Sequence, residues 1–234
     1  MALGTTLSAT LDASTTAGLQ DLVFTSDGIA ATQVVIDSGG ILTICIMSYH
    51  FDYSNNAPAL GGDFHQTRVW YMEMGGARRP RLSINESGET GQIVFAEDSG
   101  NDDDARLANT TNDPSVNWST IRGDITTSGS EYDASINNSY TAVYTRSIPG
   151  RGGAELIENM RSYFAFDLSG VTLTPDSVVM NLFIDSYSTA GGDFPKLIAV
   201  QATALAGSTA DYGNCFVADA VAVADNATFF GANF

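Results

Sequence analysis

An all-β fold, built as one or two antiparallel sandwich or jelly-roll units, is predicted by three observations. Short segments alternate large apolar residues with small or polar ones at period two, as half-buried strands do. The chain's 23 glycines and its many Ser, Thr, Asn and Asp residues punctuate those segments with turn chemistry. No window of helical length keeps a convincing apolar stripe. With 234 residues, 44% of them hydrophobic, the chain can bury a sizeable core. It reads as an N-terminal arm or lead-in (1–20), a sheet unit (21–97), an acidic polar connection (98–132) and a second β unit (133–234).

Residues 1–20 are small and polar with leucines at positions 3, 7, 11 and 19, a pattern open to a short helix, an extended arm or a first strand. Two apolar runs, 33–36 and 41–47, flank Asp37-Ser38-Gly39-Gly40 and predict a hairpin. Because 41–49 is nearly continuously apolar, it is predicted as a central strand covered on both faces. Strands follow at 68–74, 81–85 and 92–96, the last two joined through Ser87-Gly88-Glu89-Thr90-Gly91. The stretch 97–132 is acidic and polar, which marks a boundary or a surface excursion. Beyond it, Phe164, Phe166 and Leu168 alternate with small or polar residues, and so do Val178, Met180, Leu182 and Ile184. A crossing loop with Gly170, Pro175 and Asp176 joins these two strands, and 196–204 makes a third. The tail 218–234 is rich in alanine and valine and ends on Phe234.

One segment carries a resemblance. Residues 160–186, MRSYFAFDLSGVTLTPDSVVMNLFIDS, hold an arginine, an aromatic strand ending in F-D-L-S, a Thr/Pro/Ser connection and an aliphatic strand. With the upstream strand SINNSYTAVYT at 135–145, this resembles the DNRLRE family of β-sandwich domains over about residues 130–205. The family is similar in architecture to carbohydrate-binding modules. The resemblance implies a sandwich of the kind found in secreted polysaccharide-binding proteins and in phage virion proteins.

The formal net charge of −17 sets a field that repels phosphate backbones and acidic lipid surfaces, so neither nucleic acid nor membrane is an expected partner. No signal-like opening and no apolar run of about 18 residues is visible, so no export signal or membrane span is expected. The only two cysteines, Cys45 and Cys215, are far apart in sequence and read as buried thiols rather than as a disulfide framework. No nucleophile elbow, phosphate loop, dinucleotide fingerprint, HExxH or paired CxxC occurs, and with two histidines a Ser-His-Asp relay has few members. The expected protein is not an enzyme.

His50-Phe51-Asp52 is mirrored by Asp63-Phe64-His65. An antiparallel pairing of 49–53 with 62–66 would bring His50, His65, Asp52 and Asp63 to one face, a donor set for Zn²⁺. A second candidate, for Ca²⁺, is the acidic stretch 97–104, whose carboxylates offer hard oxygen ligands. For both stretches the plainer reading is ordinary polar surface, and no essential cofactor is expected. Arg78, Arg79 and Arg81 gather three of the ten basic residues in one turn and form the candidate docking patch for an acidic partner, including a further copy of this chain. Tyr49, Tyr53, Trp70, Tyr71, Tyr132, Tyr140 and Tyr144 are aromatics that either fill cores or stack on sugars.

The expected function is that of a structural protein of a virus particle, a phage capsid-decoration, fibre or tail component made in the host cytoplasm. Its partners would be copies of itself, as a trimer or another closed ring, and other virion proteins. The alternative is a carbohydrate-binding module that recognises polysaccharide.

Overall fold

The computed structural model describes residues 2–12, 17–59, 64–70, 78–96, 104–111, 118–123, 131–133, 140–149, 155–190, 196–204 and 206–217. These residues form fourteen strands: β1 (Ala2–Leu3), β2 (Leu11–Asp12), β3 (Gly18–Val23), β4 (Ile41–Ser48), β5 (Phe64–Trp70), β6 (Arg81–Asn85), β7 (Gln92–Phe95), β8 (Asp104–Thr111), β9 (Glu131–Asp133), β10 (Tyr140–Pro149), β11 (Glu155–Asp167), β12 (Ser177–Ala190), β13 (Lys196–Ala202) and β14 (Phe216–Val217). Helix α1 (Ser26–Ser38), a short helix α2 (Trp118–Arg122), a π-helical turn (Tyr49–Tyr53) and a 3-10 turn (Thr209–Gly213) complete the set. The fold is all-β and antiparallel throughout the described pairings.

Two long strands organise the molecule. On β11, β8 lies along one edge, while β4 pairs with the C-terminal part and β10 with the N-terminal part of the other edge. On β12, β3 lies along one edge, while β6 and then β5 share the other. The β5–β10 pair joins the two groups, so a single strand path, β2-β13-β4-β11-β10-β5-β12-β6-β7, wraps into two facing layers. Segments 21–97 and 133–234, distinct in sequence character, are therefore interleaved: β4 pairs with β11 and β13, and β12 pairs with β3, β5 and β6. The stretch 98–132 contributes β8 and α2 to the same structure.

The main core lies between the layers. Leu42, Ile44, Ile46, Phe164, Phe166 and Leu197 of the first sheet meet Leu22, Leu82, Ile84, Val178, Met180, Leu182 and Ile184 of the second. All of these follow the period-two rule, and their alternates point away from this core. On β4, however, the alternates Cys45 and Met47 are as deeply buried as Ile44 and Ile46, which accounts for the unbroken apolar run. That strand is covered on both faces, as expected from its sequence.

Helix α1 corrects the predicted hairpin: residues 33–36 are helical rather than extended. Thr25 caps the start by accepting from the Gly28 amide at 3.2 Å, and Asp27 lies in the first turn where the helix dipole favours an acid. Gly39, with φ +62°, closes the end: its amide bonds Ile36 O and that of Gly40 bonds Val35 O, a Schellman arrangement. Val34-Val35-Ile36 imitates a strand because a short β-branched run has no period of its own. Gly28 permits the helix to sit on the N-terminal segment, since a Cβ there would lie 2.0 Å from the Leu7 carbonyl oxygen. That segment is docked rather than free, with Leu7 fully buried and its amide bonded to Ala199 O.

Candidate functional site

The predicted metal face does not form as drawn. Residues 49–53 wind into a π-helical turn capped by Ser48, so successive side chains fan around an axis and positions 50 and 52 no longer share a face. His50 and His65 do approach, with ring centroids 5.7 Å apart, and Phe51 packs on His65 at 4.7 Å. Asp52 turns the other way, into the interior, and Asp63 lies outside the described residues. Among the described residues no group of three or more His, Cys, Asp or Glu side chains converges as a metal site would require. Residues 97–103 of the acidic stretch also lie outside the described residues, and Asp104 opens β8.

What Asp52 joins is a buried ionic cluster on the outer face of the first sheet. Asn159, Arg161 and Tyr163 alternate along β11 on the side opposite Phe164 and Phe166. Arg161, with no exposed surface, forms a two-pronged pair with Asp52: Nε to Oδ2 at 2.6 Å and Nη2 to Oδ1 at 2.8 Å. Two further N–H donors reach the Tyr212 carbonyl at 2.6 Å and the Arg122 carbonyl at 2.5 Å, and its guanidinium carbon lies 4.1 Å from the Tyr212 ring centroid. Asn159 Nδ2 donates to both Asp52 Oδ2 and the Tyr212 hydroxyl, which in turn donates to Ile121 O. Arg122 Nε donates to the Asp52 carbonyl at 2.6 Å and stands 3.5 Å from its Oδ1. Arg161 thus ties the π-turn, α2 and the 3-10 turn to β11, and Asn159 adds bonds to the first and the last.

Electrostatics follow from this wiring. Burial alone would raise the Asp52 carboxyl, but the charge and hydrogen bonds of Arg161, with Arg122 and Asn159, outweigh it and hold the group below its ordinary value. Burial alone would likewise lower the Arg161 guanidinium, and Asp52 reverses that, leaving it well above its ordinary value. Both partners are fixed in their charged forms. A permanently paired acid and base has no proton to exchange, so the cluster is suited to holding structure rather than to general acid–base work.

The outer face of the second sheet is built differently. Leu19, Asp21 and Val23 on β3, Val179, Asn181 and Phe183 on β12, Arg81 and Ser83 on β6, and Ile93 and Phe95 on β7 all alternate with core residues. The register lines them up in rows: Val23, Val179, Ser83 and Ile93 form one, and Asp21, Asn181, Arg81 and Phe95 the next. Leu19 is 44% exposed, Val23 54%, Ile93 58% and Phe95 42%, so four large apolar side chains of this face stand in water. Between them runs a polar strip in which Asn181 donates to Asp21 at 2.6 Å and accepts from Ser83 and Arg81.

The three arginines singled out in the sequence come to this same face. Arg78 lies over the Phe183 ring at 5.0 Å, Arg79 lies over the Phe95 ring at 5.6 Å while donating twice to Ala96 O, and Arg81 donates to Asn181. Glu86, Glu89 and Asp176 gather at the other end of the β6–β7 hairpin, where Ser87 N bonds Asp176 and Thr174 N bonds Glu86. The five residues of β6 separate the cationic end from the acidic one by about 17 Å. No family model matches the chain, and neither a curated protein nor a solved structure matches it.

Sequence reading singled out the arginine patch but missed Asn159, Arg161 and Tyr212. The signal for the first two was the strand pattern N-M-R-S-Y-F, in which Asn159, Arg161 and Tyr163 occupy one phase. Such a phase ordinarily faces solvent, and only the covering turns reverse that here.

Proposed function

We propose that this chain is a non-enzymatic structural subunit of a virus particle that assembles through the open outer face of its second sheet. The observation that carries the reading is the exposed apolar surface of Leu19, Val23, Ile93 and Phe95 combined with Arg78, Arg79 and Arg81. A protein at −17 repels its own copies, so association needs local attraction and apolar contact to outweigh the long-range term. The occupant of the face is another copy of this chain. The arginine end meets the Glu86, Glu89 and Asp176 end of a neighbour, and repetition of that head-to-tail contact closes a ring, with a trimer as the expected size. The phage setting, as a decoration, fibre or tail component alongside other virion proteins, rests on the DNRLRE-like stretch and the absence of catalytic motifs in the sequence.

The polysaccharide reading is weaker on this surface. Sugar stacking uses bare aromatic faces, whereas Arg78 and Arg79 lie over the rings of Phe183 and Phe95. Light scattering on the purified full chain at micromolar concentration tests the assembly reading, with Ile93→Asp and Arg79→Glu compared with the parent. A closed oligomer for the parent and monomers for both variants is expected. A monomeric parent whose Arg79→Glu variant still enters native particles at parental levels would defeat it, and binding to a glycan array lost in Phe95→Ala would favour the sugar reading instead.

A further inference from the structure

The N-terminal segment 2–12 fills a slot between β13 of the first sheet and the end of β3 with Phe24 and Thr25 in the second. Thr6 bridges to Val200 on one side and Ser8 to Phe24 on the other. On the β13 side the Leu7 amide donates to Ala199 O and the Gln201 amide to Thr5 O, both at 2.8 Å. Opposite, the Ala9 amide donates to Val23 O at 3.0 Å and the Thr25 amide to Leu7 O at 2.9 Å. Ser8 Oγ accepts from the Ala199 amide at 3.0 Å, and the Thr6 and Tyr53 hydroxyls share a hydrogen bond of 2.8 Å. Leu7 has no exposed surface and completes the main core. A Cβ on Gly4 would lie 2.0 Å from Gln201 O, so the slot takes an extended strand with glycine at that position, leucine at the position of Leu7 and a hydroxyl beside it. We propose that in the assembled protein each slot holds residues 2–12 of a neighbouring copy, so that every subunit gives one closing strand and receives one. This rests on the assembly reading above.

In the single chain the segment occupies its own slot, and a neighbour's slot offers it the same partners, so exchange keeps every one of these bonds and the burial of Leu7. The difference lies in the connection and in what the copies gain beside it. From Asp12 to Gly18, where β3 starts, the chain spans at most about 20 Å when extended. Gly18 has φ +131° and open space where a Cβ would stand, so the backbone there takes directions that other residues are denied. β3 itself carries Leu19 and Val23 on the open outer face of the second sheet. The root of the closing strand thus stands on the surface where copies meet in the proposed assembly, and a neighbour docked there is the copy that its short connection favours. Exchange turns a contact between exposed faces into one that also shares the main core, and in a head-to-tail ring it leaves no slot empty and no strand spare.

The test uses the full chain without substitution. Lys196 is the only lysine and is paired in register with Asp12, so a zero-length carbodiimide link between the two reports which copy supplies the strand. Equal amounts of ordinary and heavy-nitrogen chain are unfolded in urea, refolded together, left to assemble and cross-linked. About half of the Asp12–Lys196 peptides should carry one heavy and one light partner, because an exchanged strand meets either kind of slot at random. Links of a single isotope in a chain that light scattering finds assembled overturn the exchange and leave the assembly reading standing. Links of a single isotope in a chain that stays monomeric defeat both. Where the Asp12–Lys196 link does not form, Leu3→Cys and Phe216→Cys chains, altered at a register pair of β1 and β14, are refolded together and oxidised. A disulfide joining the two variants supports exchange, and its absence from the assembled mixture overturns it.

Discussion

The two sheets present outer faces that solve opposite problems. On the first, the β11 phase of Asn159, Arg161 and Tyr163 would leave a charge in the interior once turns cover it, and every donor direction of Arg161 described here meets a carboxylate, a carbonyl or a ring. On the second, large apolar residues remain in water although polar ones would hold the strands as well. A buried charge bonded on several sides ties its cover to a definite placement, because the π-turn, α2 and the 3-10 turn each supply a partner. An apolar surface left half in water adds little to the isolated chain, and in the assembly proposed above a second copy covers it.

The comparison is broken most severely at Arg161. Arg161→Met removes the main cation and leaves the buried Asp52 with only Arg122, 3.5 Å from its Oδ1, as counter-charge, which should cost about 3 kcal/mol in urea unfolding. The double change Arg161→Met with Asp52→Leu should recover a large part of that loss. A single variant of near-parental stability would mean that the cover is held by apolar packing alone.

Next in size are the core positions shared by both sheets. Phe166→Ala and Leu182→Ala, each at a fully buried site, should cost about 2–5 kcal/mol by the same measurement. Parental stability in both would contradict the register that makes the two outer faces distinct.

Acid should separate the faces more gently. The folded Asp52 carboxyl is held below its ordinary value by Arg161, so the folded state binds its proton less readily than the unfolded chain does. The stability from this group is present in full above the unfolded value and is lost as pH falls through the lower, folded value. Carboxyl titration by carbon NMR should therefore find Asp52 below the ordinary aspartate range, and a value above that range would reverse the sign.

The smallest expected effect is on the open face. Ile93→Ser and Val23→Ser should change the stability of the dissociated chain by no more than about 0.5 kcal/mol while weakening assembly. A loss above about 2 kcal/mol in either would show that these side chains belong to the fold and not to an interface.

What the sequence made legible depended on whether a residue's surroundings lie within its own strand. The alternation of Val178, Met180, Leu182 and Ile184, the β6–β7 turn through Gly88 and the two-sided burial of β4 could all be read, because period and turn chemistry are local. Helix α1 was lost because Val35 and Ile36 have strand propensity, while its decisive signals are single residues, Thr25 and Gly39, at its ends. The fate of Asp52 was illegible for another reason. Its partners come from positions 122, 159 and 161, and no spacing within 49–53 announces them. Arg78, Arg79 and Arg81 could be picked out because a cationic cluster stands out in an acidic chain, yet the apolar rows beneath them appear only once β3, β12, β6 and β7 are in register.

The pairing of Ala2 with Val217, together with the bonds of Gly4 to Cys215 and Leu7 to Ala199, bears on when the protein can finish folding. These residues leave the ribosome about 190 to 215 residues ahead of their partners, as the pairs Leu7–Ala199 and Ala2–Val217 require. β4 waits in the same way, since β11 and β13 that flank it are made long after it. A chain whose central strand and opening segment both lack neighbours during synthesis spends that time with Leu7, Ile44 and Ile46 uncovered. Its folding is expected to be slow and to gain more from chaperones that shield nascent strands than from any acceleration of local turns.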